Sequence, residues 1–239
     1  MEKEKGVRFL KLPFQFNVEK LQNELQTIVT SKWNDHFNKT GYEGSWKSIA
    51  LYAENGDENN IYASIEKVKI TETPFLKECP YLKEVINTFK SSLISVRLLN
   101  LEKGSKIKPH RDYKLGYEDN CFRIHVPIIT NNKVTFLLDD EIVDMKVGEC
   151  WYTNVNYIHS VSNLGDTDRI HLVIDLERNQ WSDNLFFSLA EKERFFILEN
   201  SSQVHDKATI QQMINELKLQ NTPASKELII QLENQLLIK

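Results

Sequence analysis

Ile107-Lys-Pro-His-Arg-Asp-Tyr113 is the stretch around which this chain of 239 residues is organised. It places His110 and Asp112 two positions apart. Side chains alternate between the two faces of a strand, so both residues share a face if the stretch is extended. An imidazole and a carboxylate on one face can bind the same metal ion. The stretch therefore predicts part of a metal site.

The remaining groups of this predicted site come from later strands. His159 follows in a second short apolar stretch, and Arg169 opens a third. Two histidines and one carboxylate form the ligand set of non-haem Fe(II) oxygenases, in which one face of the metal stays open. His110, Asp112 and His159 are therefore the predicted Fe(II) ligands and catalytic residues.

Arg169 suits a chelating co-substrate. The open metal positions can take a 2-oxo acid and O₂. If the acid is 2-oxoglutarate, its far carboxylate needs a rigid bidentate cation, which arginine provides better than lysine. Arg123 and His125 share a strand face by alternation and would point into the same cavity if that face is inward. His171 can either line the cavity or have a structural role. Arg97 can either have a structural role or face the substrate.

The composition limits the class of protein. A formal charge of −4 and a pI of about 5.9 give little support to nucleic-acid binding. No apolar run approaches the roughly 20 residues that span a bilayer, and the charged N-terminus lacks the apolar core of a secretion signal. Cys79, Cys121 and Cys150 are too scattered for a disulfide framework or a thiolate zinc site and are predicted core residues. We expect a cytoplasmic protein with no nucleic-acid or membrane partner. Its oligomeric state stays open.

The spacing of apolar residues predicts a mainly β protein with flanking helices (α+β). Short apolar runs alternate with turn residues from Leu93 to Leu176, a pattern typical of a jelly-roll or cupin-type barrel. Helical spacing occurs at about 18–31, after Asn17 as a plausible N-cap, at 80–90, and again after Trp181. We predict a β-barrel domain with N-terminal helices over 1–181 and a C-terminal helical extension over 182–239.

Several pieces of sequence together suggest a family. They are Gly44-Ser-Trp46 with Leu51-Tyr52, Gly104 with Pro109-His-Arg-Asp112, Cys121-Phe-Arg-Ile-His-Val-Pro127, Gly148-Glu-Cys-Trp-Tyr152 with His159-Ser-Val161, and Asp168-Arg-Ile-His-Leu-Val-Ile-Asp175. Over about residues 41–181 the chain resembles the aspartyl/asparaginyl β-hydroxylase family of 2-oxoglutarate-dependent oxygenases. It is also similar to the bacterial free-proline hydroxylases of that family.

The resemblance implies a double-stranded β-helix fold and site residues to match. It assigns His110, Asp112 and His159 as iron ligands. One departure is informative, because the animal aspartyl/asparaginyl enzyme has a small residue in place of the carboxylate ligand. This chain has Asp112 there, as the bacterial amino-acid hydroxylases do, and we expect neither the membrane anchor nor the helical-repeat region of the animal enzyme. Both points favour a small substrate over a folded secretory-pathway domain.

The resemblance also implies an activity. It points to an Fe(II)/2-oxoglutarate-dependent dioxygenase that uses O₂ to hydroxylate an unactivated C–H bond of a free amino acid or small amino-acid derivative, with succinate and CO₂ as co-products. Arg169 is the implied main contact of 2-oxoglutarate, with Arg123 and His125 as further co-substrate contacts.

Three alternatives stay open. The substrate can be an Asp, Asn or Pro side chain in a peptide or protein, which needs an open groove instead of a small closed pocket. A non-catalytic cupin-like binding protein predicts a broken metal triad, whereas His110, Asp112 and His159 are all present. A zinc hydrolase would leave Arg169 without a role.

Overall fold

The computed structural model describes residues 6–29, 33–36, 38–61, 69–197 and 207–220, with positions 226, 229, 230, 232, 233 and 236. Its contacts divide the chain into two compact units, Met1–Ile197 and Leu198–Lys239. The predicted boundary after residue 181 falls inside a helix, Gln180–Phe187, whose Phe186 is fully buried in the main core. The first compact unit therefore continues past that boundary to Ile197.

Two antiparallel sheets form the first unit. In chain order the strands are β1 (Phe9–Gln15), β2 (Asn34–Asp35), β3 (Tyr42–Glu43), β4 (Trp46–Glu54), β5 (Ile70–Glu72), β6 (Leu93–Leu101), β7 (Lys106–His110), β8 (Cys121–Ile129), β9 (Val134–Leu138), β10 (Glu141–Ile142), β11 (Glu149–Thr153), β12 (His159–Asn163) and β13 (Arg169–Glu177). The larger sheet has the order β1-β11-β8-β13-β6-β4-β2, with β5 beside β4. The smaller sheet has the order β10-β9-β12-β7-β3.

The chain alternates between the two sheets from β6 onwards. Strands β6, β8, β11 and β13 lie in the larger sheet, whereas β7, β9, β10 and β12 lie in the smaller one. This winding, with every pair antiparallel, is the double-stranded β-helix of jelly-roll proteins. The structure thus confirms the predicted mainly β fold with flanking helices.

Two helices cover the larger sheet. Helix α1 (Val18–Val29) begins after Asn17, whose side-chain oxygen accepts a hydrogen bond from Lys20 N at 2.9 Å and confirms the predicted N-cap. Helix α2 (Pro80–Asn87) begins with a proline, which the first helical turn tolerates. Helix α3 (Gln180–Phe187) follows β13. Apolar side chains of all three helices share one core with the larger sheet.

Alternation along β8 decides which residues reach the site. Ile124, Val126 and Ile128 lie in the apolar core that α1 and α2 share. Arg123 and His125 therefore point to the opposite face, towards the smaller sheet. The same alternation along β13 turns its odd-numbered residues inward and its even-numbered residues towards the helices. A polar inner face thus lies between the two sheets.

The second unit contains helix α4 (Lys207–Gln220), in which Ile210, Ile214 and Leu217 form a small apolar cluster with Leu232. Residues 198–206 and 221–225 of the predicted C-terminal extension lie outside the described part. Among the described residues, no helix is long and apolar enough to cross a membrane. The three cysteines are buried and free, as predicted.

Candidate metal centre

The three predicted ligands converge. His110 ends β7, Asp112 follows it, and His159 opens β12. Each offers one ligand atom, and these atoms lie within 4.8 Å of one another. Strand pairing sets His159 opposite His110, with the two ring centroids 4.2 Å apart. Because Asp112 N donates to Val155 O at 2.9 Å, the backbone just past β7 is also fixed. The structure thus brings together residues that are far apart in sequence.

Both histidines are held in a tautomer that leaves Nε2 free to bind a metal. His110 Nδ1 lies 2.9 Å from Lys108 O, and His159 Nδ1 lies 3.1 Å from Tyr157 O. A carbonyl oxygen only accepts hydrogen bonds, so each Nδ1 carries the proton and each Nε2 presents its lone pair. Burial lowers the pKa of His159 to about 3, which keeps this ring neutral and able to bind a metal.

Arg123 is tied to two carboxylates. Its Nη1 donates to Asp112 Oδ2, while its Nε and Nη2 donate to Asp175 Oδ1 and Oδ2 at 2.6 Å and 3.2 Å. The other oxygen of Asp112, Oδ1, lies 3.7 Å from His110 Nε2. Burial opposes ionisation of Asp112, but Arg123 holds its pKa well below the usual range. Asp112 therefore offers one charged oxygen to a metal while Arg123 holds the other.

Asp175 anchors this network. It is fully buried and also accepts hydrogen bonds from Arg97 Nη2 at 2.7 Å and Ser95 Oγ at 2.8 Å. Arg97 is thereby placed in a buried ion pair. The predicted co-substrate contact of Arg123 stays a prediction, and the structure gives its guanidinium a different set of partners. Sequence reasoning assigned no role to Asp175. Its position on the same strand face as Arg169 could have indicated that it points into the site.

Arg169 lies in the site without a counter-ion among the described residues. Its side chain is 2% exposed, and no carboxylate in the described part of the chain is within ion-pair distance. Its Nη2 lies 3.0 Å from His171 Nδ1, and its Nε has no hydrogen-bond partner among the described residues. Burial lowers the pKa of Arg169 to about 9, so it stays charged at neutral pH. A buried charge without a partner is costly, which indicates a site for an anion.

Two histidines line the wall beside Arg169. Since the guanidinium can only donate, His171 Nδ1 accepts and its Nε2 carries the proton. That Nε2 and both ring nitrogens of His125 are buried with no hydrogen-bond partner in the part of the chain that is described. The two rings lie 5.7 Å apart, and burial lowers both pKa values well below the usual range. Neutral N–H groups are thus available next to the cation.

An aromatic pair forms a further wall of the candidate metal centre. The rings of His36 and Trp46 stack with centroids 3.4 Å apart and planes 10° apart, and Trp46 lies 6.2 Å from His110. Both residues are 7% exposed. Burial lowers the pKa of His36 to about 3. His36 precedes β4 and belongs to no recognisable motif, so the sequence alone gave no signal for it.

Sequence comparisons give one family and several relatives. A model of the aspartyl/asparaginyl beta-hydroxylases matches residues 15–179. L-proline cis-3-hydroxylase 1 of Streptomyces sp is 30% identical over 168 residues, which are 68% of this chain and 57% of that protein. L-proline cis-4-hydroxylase of Rhizobium meliloti (strain 1021) is 26% identical over 172 residues, which are 71% of this chain and 61% of that protein. The chain thus spans less than two thirds of the length of these relatives.

Solved structures give more distant matches. An oxidoreductase of the 2OG-Fe(II) oxygenase family from Burkholderia pseudomallei is 12% identical, with a TM-score of 0.48 over 72% of this chain and 88% of that chain. HygX from Streptomyces hygroscopicus, solved with nickel and 2-oxoglutarate bound, is 12% identical, with a TM-score of 0.46 over 73% of this chain and 84% of that chain.

Proposed function

Because this chain belongs to the aspartyl/asparaginyl β-hydroxylase family, we propose that it is an Fe(II)- and 2-oxoglutarate-dependent dioxygenase that hydroxylates a free amino acid. One observation carries the proposal. His110, Asp112 and His159 converge on the same inner surface on which Arg169 lies buried, with no counter-ion in the part of the chain that the structure describes. The triad supplies a metal site, and Arg169 supplies the charge that a dicarboxylic co-substrate needs.

Each residue has a definite part in binding. His110 and His159 would hold the metal through Nε2, and Asp112 through Oδ1. When bound, Fe(II) and 2-oxoglutarate supply the oxidising chemistry that uses O₂ to convert a C–H bond into an alcohol, with succinate and CO₂ released. Arg169 would bind the far carboxylate of 2-oxoglutarate through Nε and its terminal nitrogens. His171 Nε2 and His125 provide further N–H groups on that wall.

The charge of the buried site supports a substrate that carries a carboxylate. Three arginines and two aspartates point into the site, namely Arg97, Arg123, Arg169, Asp112 and Asp175. The protein therefore contributes one positive charge in excess. A divalent metal and doubly charged 2-oxoglutarate cancel each other, so the loaded site keeps that excess. An anionic group on the substrate would be attracted to it.

The walls of the site support a small substrate. His36 and Trp46 stack against each other beside His110, and both are almost completely buried. Such an aromatic wall favours a compact molecule over an extended peptide. The named relatives are L-proline hydroxylases, which makes L-proline the first amino acid to test.

The test is substrate-dependent formation of succinate. The purified protein is incubated with Fe(II), 2-oxoglutarate and O₂, together with L-proline, other free amino acids or the same residues in capped peptides. We expect a free amino acid to stimulate succinate release and to gain one oxygen atom by mass spectrometry. His159→Ala should abolish both signals, whereas Ser160→Ala, a change at the adjacent non-ligand residue, should retain them.

Two outcomes would contradict the proposal. Stimulation by peptides and not by free amino acids would refute the proposed substrate class. Absence of stimulated succinate release from any of these compounds, in protein that has bound Fe(II), would refute the proposed hydroxylase activity.

A further inference from the structure

A cavity of about 230 Å³ opens between the sheets on the side of Arg169 that lies away from the metal ligands. Arg169 and His171 form one part of its lining, and Val134 and Phe136 of β9 form another. The connections 130–132 and 143–147 complete its rim. None of the three metal ligands belongs to the lining, so the cavity is distinct from the space around the metal.

Strand register fixes the direction of this cavity. Leu138 of β9 pairs with His159, Phe136 pairs with Val161 two residues further on, and Val134 pairs with Asn163. At about 3.3 Å per residue, Val134 lies about 13 Å along the strand from the level of the metal ligand. The Arg169 guanidinium lies over the Phe136 ring, 5.8 Å from its centroid. The cavity therefore begins at the level of Arg169 and continues away from the triad.

The lining has a chemical character that suits part of a ligand. Val134, Phe136, Val143 and Met145 provide apolar walls. Arg169 provides a buried cation whose Nε has no hydrogen-bond partner among the described residues. Lys146 and Asp144 also belong to the lining, but they are exposed and form an ion pair with each other at 2.6 Å. Apolar walls beside a buried cation suit a chain of methylene groups that ends in a carboxylate. A ligand without a terminal carboxylate would leave Arg169 uncompensated.

This arrangement bears on the length of the co-substrate. In an enclosed site the wall behind the arginine fixes how many carbons fit between the metal and the carboxylate. Here Arg169 lines a cavity on the side away from the metal ligands, so its side chain and the tail of the ligand have space into which they can shift. The terminal carboxylate can then stay on Arg169 when the chain is one methylene longer.

Building on the proposed function, we propose that the cavity beside Arg169 extends the co-substrate site, so that the protein binds the six-carbon acid 2-oxoadipate as well as 2-oxoglutarate. A pocket closed to an additional methylene typically discriminates by about 10-fold to 200-fold. The open cavity predicts a dissociation constant for 2-oxoadipate within about tenfold of that for 2-oxoglutarate.

The experiment is anaerobic calorimetric titration of the Fe(II)-loaded protein with three acids: 2-oxoglutarate, 2-oxoadipate and 2-oxopentanoate, which lacks the terminal carboxylate. We expect comparable affinity for the first two and much weaker binding of the third. If the protein binds 2-oxoglutarate but its affinity for 2-oxoadipate is more than about tenfold lower, this inference alone is overturned. Absence of binding by 2-oxoglutarate would overturn the proposed function and this inference together.

A cavity-filling variant tests the location. Val134→Phe should lower the affinity for 2-oxoadipate at least about tenfold more than the affinity for 2-oxoglutarate, because the larger side chain narrows the space beyond Phe136. Thr135→Phe is the matched control, since the adjacent residue points to the other face of β9 and is absent from the lining. Val134→Leu serves as a milder filling if the larger ring impairs folding. If Val134→Phe and Thr135→Phe change the affinities for the two acids to the same extent, the inference is overturned.

Discussion

Arg123 and Asp175 form a bidentate ion pair between β8 and β13, with Nε 2.6 Å from Oδ1 and Nη2 3.2 Å from Oδ2. The same guanidinium donates to Asp112, one of the three proposed metal ligands. Asp175 thus acts on the proposed metal ligand Asp112 through Arg123. Partners of this kind orient metal ligands, and their loss typically costs about 10-fold to 100-fold in metal affinity.

Asp175→Asn is predicted to weaken both the fold and the metal site. It leaves Arg97 and Arg123 without their shared counter-ion, and breaking a buried ion pair typically costs about 3–5 kcal/mol. Urea unfolding of the metal-free protein and competitive Co(II) titration measure the two effects. Glu102→Gln is the matched control, because its half-exposed ion pair with Lys47 is worth less than about 1 kcal/mol. Equal effects of both changes would contradict the role given to Asp175.

Arg169→Met is predicted to separate binding from stability. Removing a buried cation that has no counter-ion among the described residues should leave the free energy of unfolding unchanged or higher. The affinity for 2-oxoglutarate should fall by about 100-fold or more, since a buried charged contact is lost. Urea unfolding and anaerobic calorimetry measure the two quantities on one preparation. A clearly destabilised variant that binds 2-oxoglutarate normally would show that Arg169 has a structural role instead.

His36→Ala is predicted to affect the amino acid and not the co-substrate. The change removes one ring of the stacked wall beside His110. We expect the KM for the amino acid to rise by about tenfold, while the dissociation constant of 2-oxoglutarate stays unchanged. Steady-state kinetics and calorimetry give the two values. Equal weakening of both ligands would indicate a general loss of structure in place of a substrate contact.

The metal-free protein is predicted to lose stability as the pH falls below about 6.5. Burial lowers the pKa of four histidines, namely His36, His125, His159 and His171. Between about pH 6.5 and about pH 3 the unfolded chain therefore binds protons that the folded chain does not, so acid favours unfolding. Each such histidine contributes up to about 1.4 kcal/mol per pH unit.

Urea unfolding between about pH 7.5 and about pH 5.5 measures this dependence. His125→Phe provides the comparison, because it removes one buried histidine and should reduce the slope by up to about 1.4 kcal/mol per pH unit. A free energy of unfolding that does not change over this range would contradict the burial of neutral histidines.

Local patterns in the sequence were sufficient for the fold class and for the grouping of His110, Asp112 and His159. Strand alternation fixes which side chains share a face, so His110 and Asp112 could be assigned together, and the order of short strands indicated where His159 would return. The same reasoning placed Arg169 on an inner strand. These features depend on the spacing of apolar and polar residues along each strand, which can be read from a single sequence.

Features that depend on register between distant strands were not predictable in this way. Asp175 meets Arg123 because β13 pairs with β8 in one register, and no local pattern encodes that register. His36 reaches the candidate metal centre because β2 pairs with β4, and this pairing places the residue that follows β2 beside Trp46. In both cases tertiary pairing, and not the neighbouring sequence, determines the contact.

The central claim is that His110, Asp112 and His159 hold a metal ion to which 2-oxoglutarate binds. Anaerobic addition of Fe(II) and then 2-oxoglutarate tests it most directly through the weak visible charge-transfer band of the chelated complex. We predict the band in the unaltered protein and in Ser160→Ala, and its loss in His110→Ala and His159→Ala. Absence of the band in unaltered protein that binds 2-oxoglutarate, or its persistence in both histidine variants, would contradict the claim.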